Sequence, residues 1–154
     1  MSRMRLAAAL AMAMTVAGCG NPAPEPARFV PPAPSVVELD GTLRAHYNLL
    51  PPPALGEAVA REYGVERDAA SALLIVALRH PGADGEETTA AGEVTAEVTD
   101  LAGRRQAVTL RRVSTGDYVD HVGTVRAGAH DTLRVHVVVV AGGQRRQFDF
   151  QRNF

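Results

Sequence analysis

The sequence has few cysteines and aromatic residues, and it has no lysine or tryptophan. Its one cysteine, Cys19, excludes an intrachain disulfide and any metal site built from several cysteines. All 16 basic residues are arginines, and 17 acidic residues outnumber them. Because there is no excess of positive charge, nothing electrostatic favours a nucleic acid as partner. The aromatic content of 5% predicts a core built mainly from Val, Leu and Ala.

The first 19 residues have the three parts of a bacterial export signal. Arg3 and Arg5 give a positively charged start, and the apolar run from Leu6 to Thr15 is too short to span a bilayer comfortably. The run ends in Val16-Ala17-Gly18-Cys19, which resembles the lipobox of bacterial lipoproteins. This resemblance implies cleavage before Cys19 and attachment of lipid to its side chain, and more than one acyl chain is needed for stable anchoring.

Two alternatives to lipidation remain open for this segment. It also fits an ordinary cleaved signal peptide in which Cys19 has no role, or an uncleaved membrane anchor. Cys19 is followed by Gly20, and not by the Asp that commonly retains lipoproteins in the inner membrane, so the sequence resembles the outer-membrane class. We therefore expect a lipid-anchored protein of the bacterial cell envelope, on the outer membrane and facing the periplasm.

The composition divides the chain into three parts. Residues 1–18 are the predicted signal peptide, 19–35 the lipidated cysteine with a proline-rich tether, and 36–154 a folded domain. Prolines fix φ and remove donors, so the tether is expected to be extended and semi-rigid; they are Pro22, Pro24, Pro26, Pro31, Pro32 and Pro34. A proline-rich recognition segment is the alternative use of this composition.

The first half of the domain contains the single predicted helix. Val36–Leu50 is expected to be a strand, with Gly41 marking a bulge, and three prolines end it. Ala54–Tyr63 is predicted to be helical, because Leu55, Ala58, Val59 and Tyr63 share one face, and Gly64 suits the left-handed position after a helix. The apolar run Leu73–Leu78 is typical of a central strand buried on both faces.

The second half of the domain consists of short strands. Pro81–Gly92 is predicted to be a polar loop, and the strands that follow are Val94–Leu101, Gln106–Val113, Tyr118–Arg126, Thr132–Val140 and Arg145–Phe154. Alternation along these strands places Leu133, Val135, Val137 and Val139 in the core, together with Phe148, Phe150 and Phe154. About seven strands in all predict a mainly β fold: a small antiparallel, immunoglobulin-like β-sandwich with one short helix.

The order and spacing of several segments resemble a bacterial family known as domain of unknown function 4426. These segments are His46-Tyr47-Asn48, Ala60, Tyr63-Gly64-Val65, Arg67, Ala72-Leu73-Leu74, Val94-Thr95, Thr99 to Gly103, Phe148 to Gln151 and Phe154. The chain departs from the family pattern at Ile75-Val76-Ala77, where a polar residue is expected. The resemblance implies an exported protein and brings no established activity.

Two polar groups are the candidate interaction residues. His46, Tyr47 and Asn48 interrupt an otherwise apolar stretch, although a buried tyrosine with a satisfied hydroxyl explains the group equally well. Arg111 and Arg112 form one of three arginine pairs, with Arg104-Arg105 and Arg145-Arg146. On one sheet face these pairs would bind anionic headgroups, sugars or carboxylates, and on edge strands they would instead prevent aggregation.

The sequence contains no catalytic arrangement that predicts an enzyme. A triad of Ser71 or Ser114 with Asp117 and His121 lacks the nucleophile-elbow sequence around either serine. The acidic cluster Asp84, Glu86 and Glu87 lacks the spacing of a calcium loop. We therefore expect no cofactor and no metal, and a non-enzymatic module that binds another cell-envelope protein. The alternative is a metal- or small-ligand-binding lipoprotein that uses His121, His130 and His136 on neighbouring strands.

Overall fold

The computed structural model describes residues 35–68 and 70–154. The predicted signal peptide, Cys19 and all but the last residue of the predicted tether lie outside these residues, so lipidation stays a prediction. Among the residues described, no helix is long and apolar enough to cross a membrane.

The described chain forms ten strands, one α-helix and one turn of 3₁₀ helix. The strands are β1 (Val36–Asp40), β2 (Leu43–Leu50), β3 (Ser71–Pro81), β4 (Glu87–Thr89), β5 (Glu93–Thr99), β6 (Arg105–Val108), β7 (Arg111–Thr115), β8 (Tyr118–Arg126), β9 (Thr132–Ala141) and β10 (Gln144–Asn153). The helix α1 spans Glu57–Glu62, and the 3₁₀ turn spans Pro52–Ala54. The chain is therefore mainly β.

The strands make two antiparallel sheets. In the first sheet the order is β1-β2-β3-β8-β7, and β4 pairs with the end of β3. In the second sheet the order is β10-β9-β5-β6. The main core cluster takes side chains from both sheets, including Leu74 and Val76 of β3 and Val135 and Val137 of β9. This arrangement confirms the predicted small β-sandwich.

Strand alternation positions the core as predicted. Leu133, Val135, Val137 and Val139 are fully buried. Phe148 is buried as well, and Phe150 and Phe154 pack partly buried against the same cluster. In β3 the run Leu73–Leu78 contributes alternate side chains to the inner core and to a smaller cluster on the outer face. The prediction of a central strand buried on both faces is confirmed.

Three predicted boundaries between strands and loops were wrong. The predicted strand Val36–Leu50 is two strands, because Gly41 lies in a turn where Asp40 Oδ1 accepts hydrogen bonds from the Thr42 backbone and hydroxyl at 2.7 Å; the irregularity in pairing lies just before it, between Glu38 and Asp40. The segment Gln106–Val113 is divided between β6 and β7, which belong to different sheets. The polar stretch Pro81–Gly92 includes β4, since Glu87–Thr89 pair with β3.

The helical segment is shorter than predicted and buries a different side. The α-helix begins at Glu57 and not at Ala54, since the prolines before it form the 3₁₀ turn. Ala60 is its buried residue, whereas Ala58 and Val59 are exposed. The segment covers the outer face of the first sheet with Leu55, Ala60 and Tyr63. Gly64 has the predicted left-handed conformation, with φ of 56°.

The sandwich has two ends that carry different loops. At the end where Ser35 enters β1 lie the β5–β6 turn, the β8–β9 loop, the end of β10 and both ends of the β2–β3 connection. We call this the Ser35 end. At the opposite end, called the Asp40 end, lie the β1–β2, β3–β4, β7–β8 and β9–β10 connections. Antiparallel pairing places consecutive connections at alternate ends.

Candidate functional site

Polar side chains lie together on the outer face of the first sheet, beside α1 and toward the Asp40 end. We call this group the polar face; it consists of Arg44, His46, Tyr63, Arg79, Glu87, Tyr118 and Asp120. Cross-strand pairing explains the grouping, because Arg44 lies opposite Arg79, and His46 and Asp120 lie on either side of Ala77. Side chains of directly paired residues point to the same face of a sheet. Ala77 is small and buried, and therefore leaves room above β3.

Glu87 is the link between β4 and β2. Its Oε1 accepts a hydrogen bond from Arg44 Nη1 at 2.6 Å, so the carboxylate reaches across β3. Its Oε2 lies 2.6 Å from His46 Nε2, in a close contact where that nitrogen is buried. Partial burial opposes ionisation, but the hydrogen bond from Arg44 and the contact with His46 hold the pKa of Glu87 below its ordinary value.

Arg44 also joins β2 to the edge strand. It pairs with Glu38 of β1 through its guanidinium group, in addition to the bond with Glu87. These two hydrogen bonds, first that to Glu87 and then that to Glu38, raise the pKa of Arg44. Arg44 therefore holds Glu38 of β1 and Glu87 of β4 in place at the same time. The geometry of the group is fixed by these contacts within the chain.

Arg79 and Asp120 form the buried part of the polar face. Arg79 Nη2 donates to Asp120 Oδ1 at 2.7 Å, and Arg79 Nη1 donates to the carbonyls of Leu78 and Val119 at 3.0 Å. Tyr63, at the end of α1, donates its hydroxyl to Asp120 Oδ2 at 3.1 Å. Burial and the Asp120 carboxylate raise the pKa of Tyr63, which keeps the hydroxyl protonated. The network connects the helical segment to the sheet.

Tyr118 is the exposed aromatic side chain of the polar face. It is 49% exposed, so about half of the ring is open to solvent. Its ring centroid lies 5.0 Å from the Arg79 guanidinium carbon, in a cation–π contact. Because Arg79 is itself fixed by Asp120, the tyrosine is presented on a rigid support.

The predicted group His46, Tyr47 and Asn48 is divided between the two faces of β2. His46 and Asn48 point outward, whereas Tyr47 points inward. The Tyr47 ring packs 4.4 Å from the Phe150 centroid and 5.0 Å from that of Phe148, so it contributes to the core. Asn48 is exposed in a small cleft with Ser35 and Phe150. Of the three, His46 belongs to the polar face.

The arginine pairs do not form one common basic face. Arg111 and Arg112 are both exposed on β7, but neighbouring residues of a strand point to opposite sides. The Arg111 guanidinium lies beside Gly64, where an added Cβ would come within 3.3 Å of Nη2. Arg146 is engaged by Asp40, and Arg104 by Asp100. The arginines of the three pairs therefore lie in separate surroundings and do not act together as one positively charged surface.

The histidines of the proposed metal site do not converge. His121 is buried on the inner side of β8, His136 pairs with Asp149 on the outer side of the second sheet, and His130 lies in the β8–β9 loop. In the part of the chain that the structure describes, no three His, Cys, Asp or Glu residues come together as metal ligands. The sequence predicted that these histidines lie close together, because they were assigned to neighbouring strands. In the structure β8 and β9 belong to different sheets, His121 points inward and His136 points outward, so the side chains stay apart.

The catalytic triad of serine, aspartate and histidine that the sequence analysis considered is not assembled. His121 is 5% exposed, and neither ring nitrogen has a hydrogen-bond partner among the described residues. Ser71 Oγ donates a hydrogen bond to the Asp68 carbonyl at 3.0 Å and not to His121. Burial lowers the pKa of His121, and the backbone carbonyls of Val76 and Gly92 only partly oppose this shift. The imidazole is therefore a buried core side chain whose neutral form is favoured by its surroundings.

Sequence reasoning missed most of the polar face. Arg79 follows directly after the apolar run Leu73–Leu78, and an arginine at the end of a strand buried on both faces needs a nearby carboxylate. That pattern signals a buried ion pair but does not identify the partner. Asp120, Tyr63 and Glu87 carry no local signal, because their roles depend on which strands are neighbours.

Comparisons with known proteins relate the chain to one family and to several solved structures. The family model for a domain of unknown function, DUF4426, matches residues 37–154. A DUF4426 family protein from Pseudomonas aeruginosa PAO1, known from a crystal structure, is 25% identical in sequence to this chain. Its structure has a TM-score of 0.65, and the match covers 77% of this chain and 92% of that one. Among curated proteins, none matches the chain significantly.

Two other solved structures are more distant. A copper-bound variant of FetP from uropathogenic Escherichia coli strain F11 is 11% identical, with a TM-score of 0.48 over 76% of this chain and 91% of that one. The GAE domain of Gga2p from Saccharomyces cerevisiae is 7% identical, with a TM-score of 0.35 over 80% and 97%. Neither likeness is strong enough to carry an argument about this chain. The match to the family model covers more than half of the sequence, and the chain therefore belongs to the DUF4426 family, whose function is unknown.

Proposed function

We propose that this chain is a lipid-anchored protein of the bacterial cell envelope, on the outer membrane and facing the periplasm. The support is the sequence Val16-Ala17-Gly18-Cys19 after a positively charged start and a short apolar run. Lipid on Cys19 would hold the domain at the membrane through the proline-rich tether. In this position the domain acts on neighbours in the envelope.

The domain itself is proposed to be a non-enzymatic interaction module that binds another envelope protein through the polar face. Tyr118 on its Arg79 support carries this proposal, because tyrosine and arginine are among the side chains most enriched in residues that dominate binding. The ring is half exposed and already held in one position. Binding therefore costs little side-chain entropy, which favours a specific partner.

The ion pairs around Tyr118 support the same proposal. Arg44, His46 and Glu87 hold one another and stay partly exposed, with 31%, 37% and 20% of their side-chain surfaces accessible. A partner that meets this surface finds charges of both signs at fixed positions. Such a pattern gives specificity and register more than affinity.

Photo-crosslinking of the full-length protein in its own cells tests the interaction. A photoreactive residue at Thr89, which lies opposite Arg79 and beside the polar face, is compared with one at Thr95 on the outer face of the second sheet. We expect one dominant protein adduct from Thr89 and none from Thr95. Equal adducts from both positions, or abundant bystanders only, would contradict the proposal.

A substitution then identifies the contact. Tyr118→Ala is expected to reduce the Thr89 adduct at least about tenfold, as for a residue that dominates an interface. Val140→Ala is the matched control, because Val140 is 41% exposed and lies away from the polar face. An adduct that survives Tyr118→Ala would show that the polar face does not bind the partner.

The anchor has a separate test. Cys19→Ala should release the protein from membranes that have been washed in high salt, and processing of the precursor should stop. Membrane association that stays unchanged in this variant would place the anchor elsewhere.

A further inference from the structure

The Ser35 end of the sandwich is rich in arginine. Three adjacent clefts open there, of about 720, 340 and 180 Å³. Five arginines and two aspartates supply their charged side chains: Arg104, Arg105, Arg126, Arg134 and Arg152, with Asp100 and Asp131. The two carboxylates are too few to balance the guanidinium groups.

The aspartates at this end are occupied by the loops, including Asp68 of the β2–β3 connection, whose Oδ1 accepts from the Ala70 backbone N–H at 2.9 Å. Asp100 accepts hydrogen bonds from the backbone of Arg104 at 2.9 Å and from its Nε at 2.6 Å. Asp131 Oδ2 accepts from the Gly128 backbone at 2.6 Å. These bonds hold the β5–β6 turn and the β8–β9 loop in shape, and they neutralise Arg104 alone.

The remaining arginines are therefore available to a ligand. Within the described part of the chain, Arg126, Arg134 and Arg152 make no ion pair, and Arg105 lies 3.8 Å from Glu97 with 73% of its side chain exposed. The Gln106 side chain bonds the backbone of Arg126 on both its N–H and its carbonyl, which ties the two sheets together and fixes this position. Guanidinium groups in such an arrangement bind phosphate oxygens.

The Asp40 end has the opposite charge. Its connections carry Asp84, Glu86, Glu93 and Asp117, which are exposed and make no ion pair among the residues described. Of its arginines, Arg146 is held by Asp40 and Arg44 by Glu38 and Glu87, while exposed Arg145 at the start of β10 makes no ion pair among the described residues. The domain is thus polarised along the strands, and an anionic surface would attract one end and repel the other.

Leu101 adds an apolar group to the basic end. It lies in the tight β5–β6 turn, and it is 75% exposed, the largest value among the exposed large hydrophobic residues of the described chain. Gly103, with φ of 78°, makes this turn and leaves Leu101 at its tip. Basic side chains around an exposed apolar one are typical of surfaces that contact the headgroup region of a membrane.

The chain also enters the domain at this end. The Tyr47 backbone N–H donates to the Ser35 carbonyl at 2.8 Å, and Ser35 shares a small cleft with Arg152. Any anchor attached to the preceding residues therefore joins the domain on its basic side.

From the charge polarity, the exposed leucine and the point of entry we propose that the Ser35 end lies against an anionic phospholipid surface, with Leu101 at the contact. The proposal rests on the envelope location given above and deepens it by assigning an orientation. The polar face, which lies toward the Asp40 end, is then directed away from the lipid and toward proteins of the periplasm.

Fluorescence from two single positions tests the orientation in the full mature protein purified from its own membranes. A lipid-sensitive dye is attached at Leu101→Cys and, as the matched control, at Ala83→Cys in the exposed β3–β4 loop of the Asp40 end. Vesicles of phosphatidylethanolamine and phosphatidylglycerol that carry a lipid-bound quencher are compared with vesicles of phosphatidylcholine alone. We expect at least about threefold stronger quenching at position 101 than at 83, in the anionic vesicles only.

Charge variants sharpen this test. Arg105→Gln, Arg126→Gln and Arg134→Gln together should remove most of the contrast between the two dyes. The control variant carries Arg61→Gln, Arg111→Gln and Arg145→Gln, at exposed positions outside the three clefts. It loses the same charge and should leave the contrast between the two dyes unchanged. Equal quenching at both dye positions, or a contrast insensitive to lipid charge and to the first set of variants, would overturn the proposal.

The anchor and the orientation fail in different ways. Flotation of the protein with vesicles in high salt reports the lipid anchor, because salt screens the arginine contacts. Loss of flotation with a persistent contrast in low salt would contradict the anchor and support the basic contact surface. Flotation with equal quenching at both positions would support the anchor and contradict the proposed orientation.

Discussion

The two ends of the sandwich are stabilised by different uses of charge. Toward the Asp40 end, carboxylates pair with arginines across strands, as in Arg44 with Glu87 and Arg79 with Asp120. At the Ser35 end, Asp100 and Asp131 bond to backbone N–H groups of their own loops, and the one arginine that Asp100 pairs with, Arg104, lies in the same turn. Toward the Asp40 end most arginines are therefore held in side-chain pairs, while at the Ser35 end the acids shape the loops and most arginines stay unpaired.

This difference connects stability to the proposed functions. Paired charges make a rigid surface of mixed sign, which suits the polar face and a protein partner. Unpaired guanidinium groups on well-capped loops make a surface of one sign, which suits phosphate groups. A net charge of −1 for the whole chain conceals both surfaces, because it averages over the ends.

The largest predicted effect comes from breaking the buried pair near the Asp40 end. Asp120→Ala leaves Arg79 buried without its carboxylate and removes the acceptor of the Tyr63 hydroxyl. We expect the free energy of unfolding to fall by about 3 kcal/mol or more, as measured by chemical denaturation at neutral pH. Asp117→Ala, in the exposed β7–β8 turn, is the control and should change it by less than about 0.5 kcal/mol. Similar losses in both variants would contradict a special role for the Arg79–Asp120 pair.

A smaller effect is expected from the corresponding link at the Ser35 end. Gln106→Ala removes two hydrogen bonds to the backbone of Arg126, at 3.0 and 3.1 Å, which join the sheets. The expected loss of unfolding free energy is about 1–2 kcal/mol. Gln144→Ala on exposed β10 provides the comparison and should be nearly neutral. If Gln106→Ala were equally neutral, the Ser35 end would not depend on this contact.

Removal of the Glu87 charge tests the exposed ion pairs of the polar face. Glu87→Gln should lower the free energy of unfolding by about 1 kcal/mol at neutral pH, since the partners remain partly solvated. The folded pKa of Glu87 lies below the ordinary value of 4.5. Its stabilising contribution is therefore complete above about pH 4.5 and is lost as the pH falls through the folded pKa.

The acid dependence separates this variant from its control. Glu86→Gln, in the neighbouring exposed position, should leave the acid dependence of the wild type intact. Denaturation curves between pH 3 and 7 measure both variants. An unchanged acid slope in Glu87→Gln would show that the ion pairs with Arg44 and His46 add no stability.

The smallest effect at neutral pH concerns the core between the two ends. Burial lowers the pKa of His121 from its ordinary value of 6.5, so the unfolded state binds the proton more readily than the folded state. Stability should be constant above about pH 6.5 and should decrease as the pH falls from there toward the folded pKa. His121→Leu should remove this slope, whatever the absolute stability of the variant.

His130→Asn is the matched control for the histidine slope. His130 is exposed in the β8–β9 loop with φ of 68°, a conformation that asparagine tolerates. Its substitution should leave the slope between pH 5 and 7 as in the wild type. A slope that persists in His121→Leu would assign the dependence to other histidines.

Much of the fold was predictable from local patterns. Alternation from Leu133 to Val139 identifies the core side of β9, and Gly103 marks the turn after β5. The run Leu73–Leu78 identifies the central strand. These features were predictable because pleat, turn conformation and continuous burial are properties of a few successive residues.

The division of Gln106–Val113 was not predictable in the same way. Both halves have strand character, but β6 pairs with β5 and β7 pairs with β8 in the other sheet. A local pattern does not contain the crossing between sheets at Thr109-Leu110. The length of α1 was overestimated for a related reason, since the 3₁₀ turn after Pro51 uses residues that also suit a helix.

By itself the sequence determined the strand pattern, the family resemblance and the prediction of an export signal, because each depends on successive residues. Only the tertiary structure decided which charges meet. Arg79 lies 41 residues from Asp120, Tyr63 lies 57 residues from Asp120, and Arg44 lies 43 residues from Glu87. Their contacts depend on strand order and register, which are set by packing of the whole core, and the same packing places basic loops at one end and acidic loops at the other.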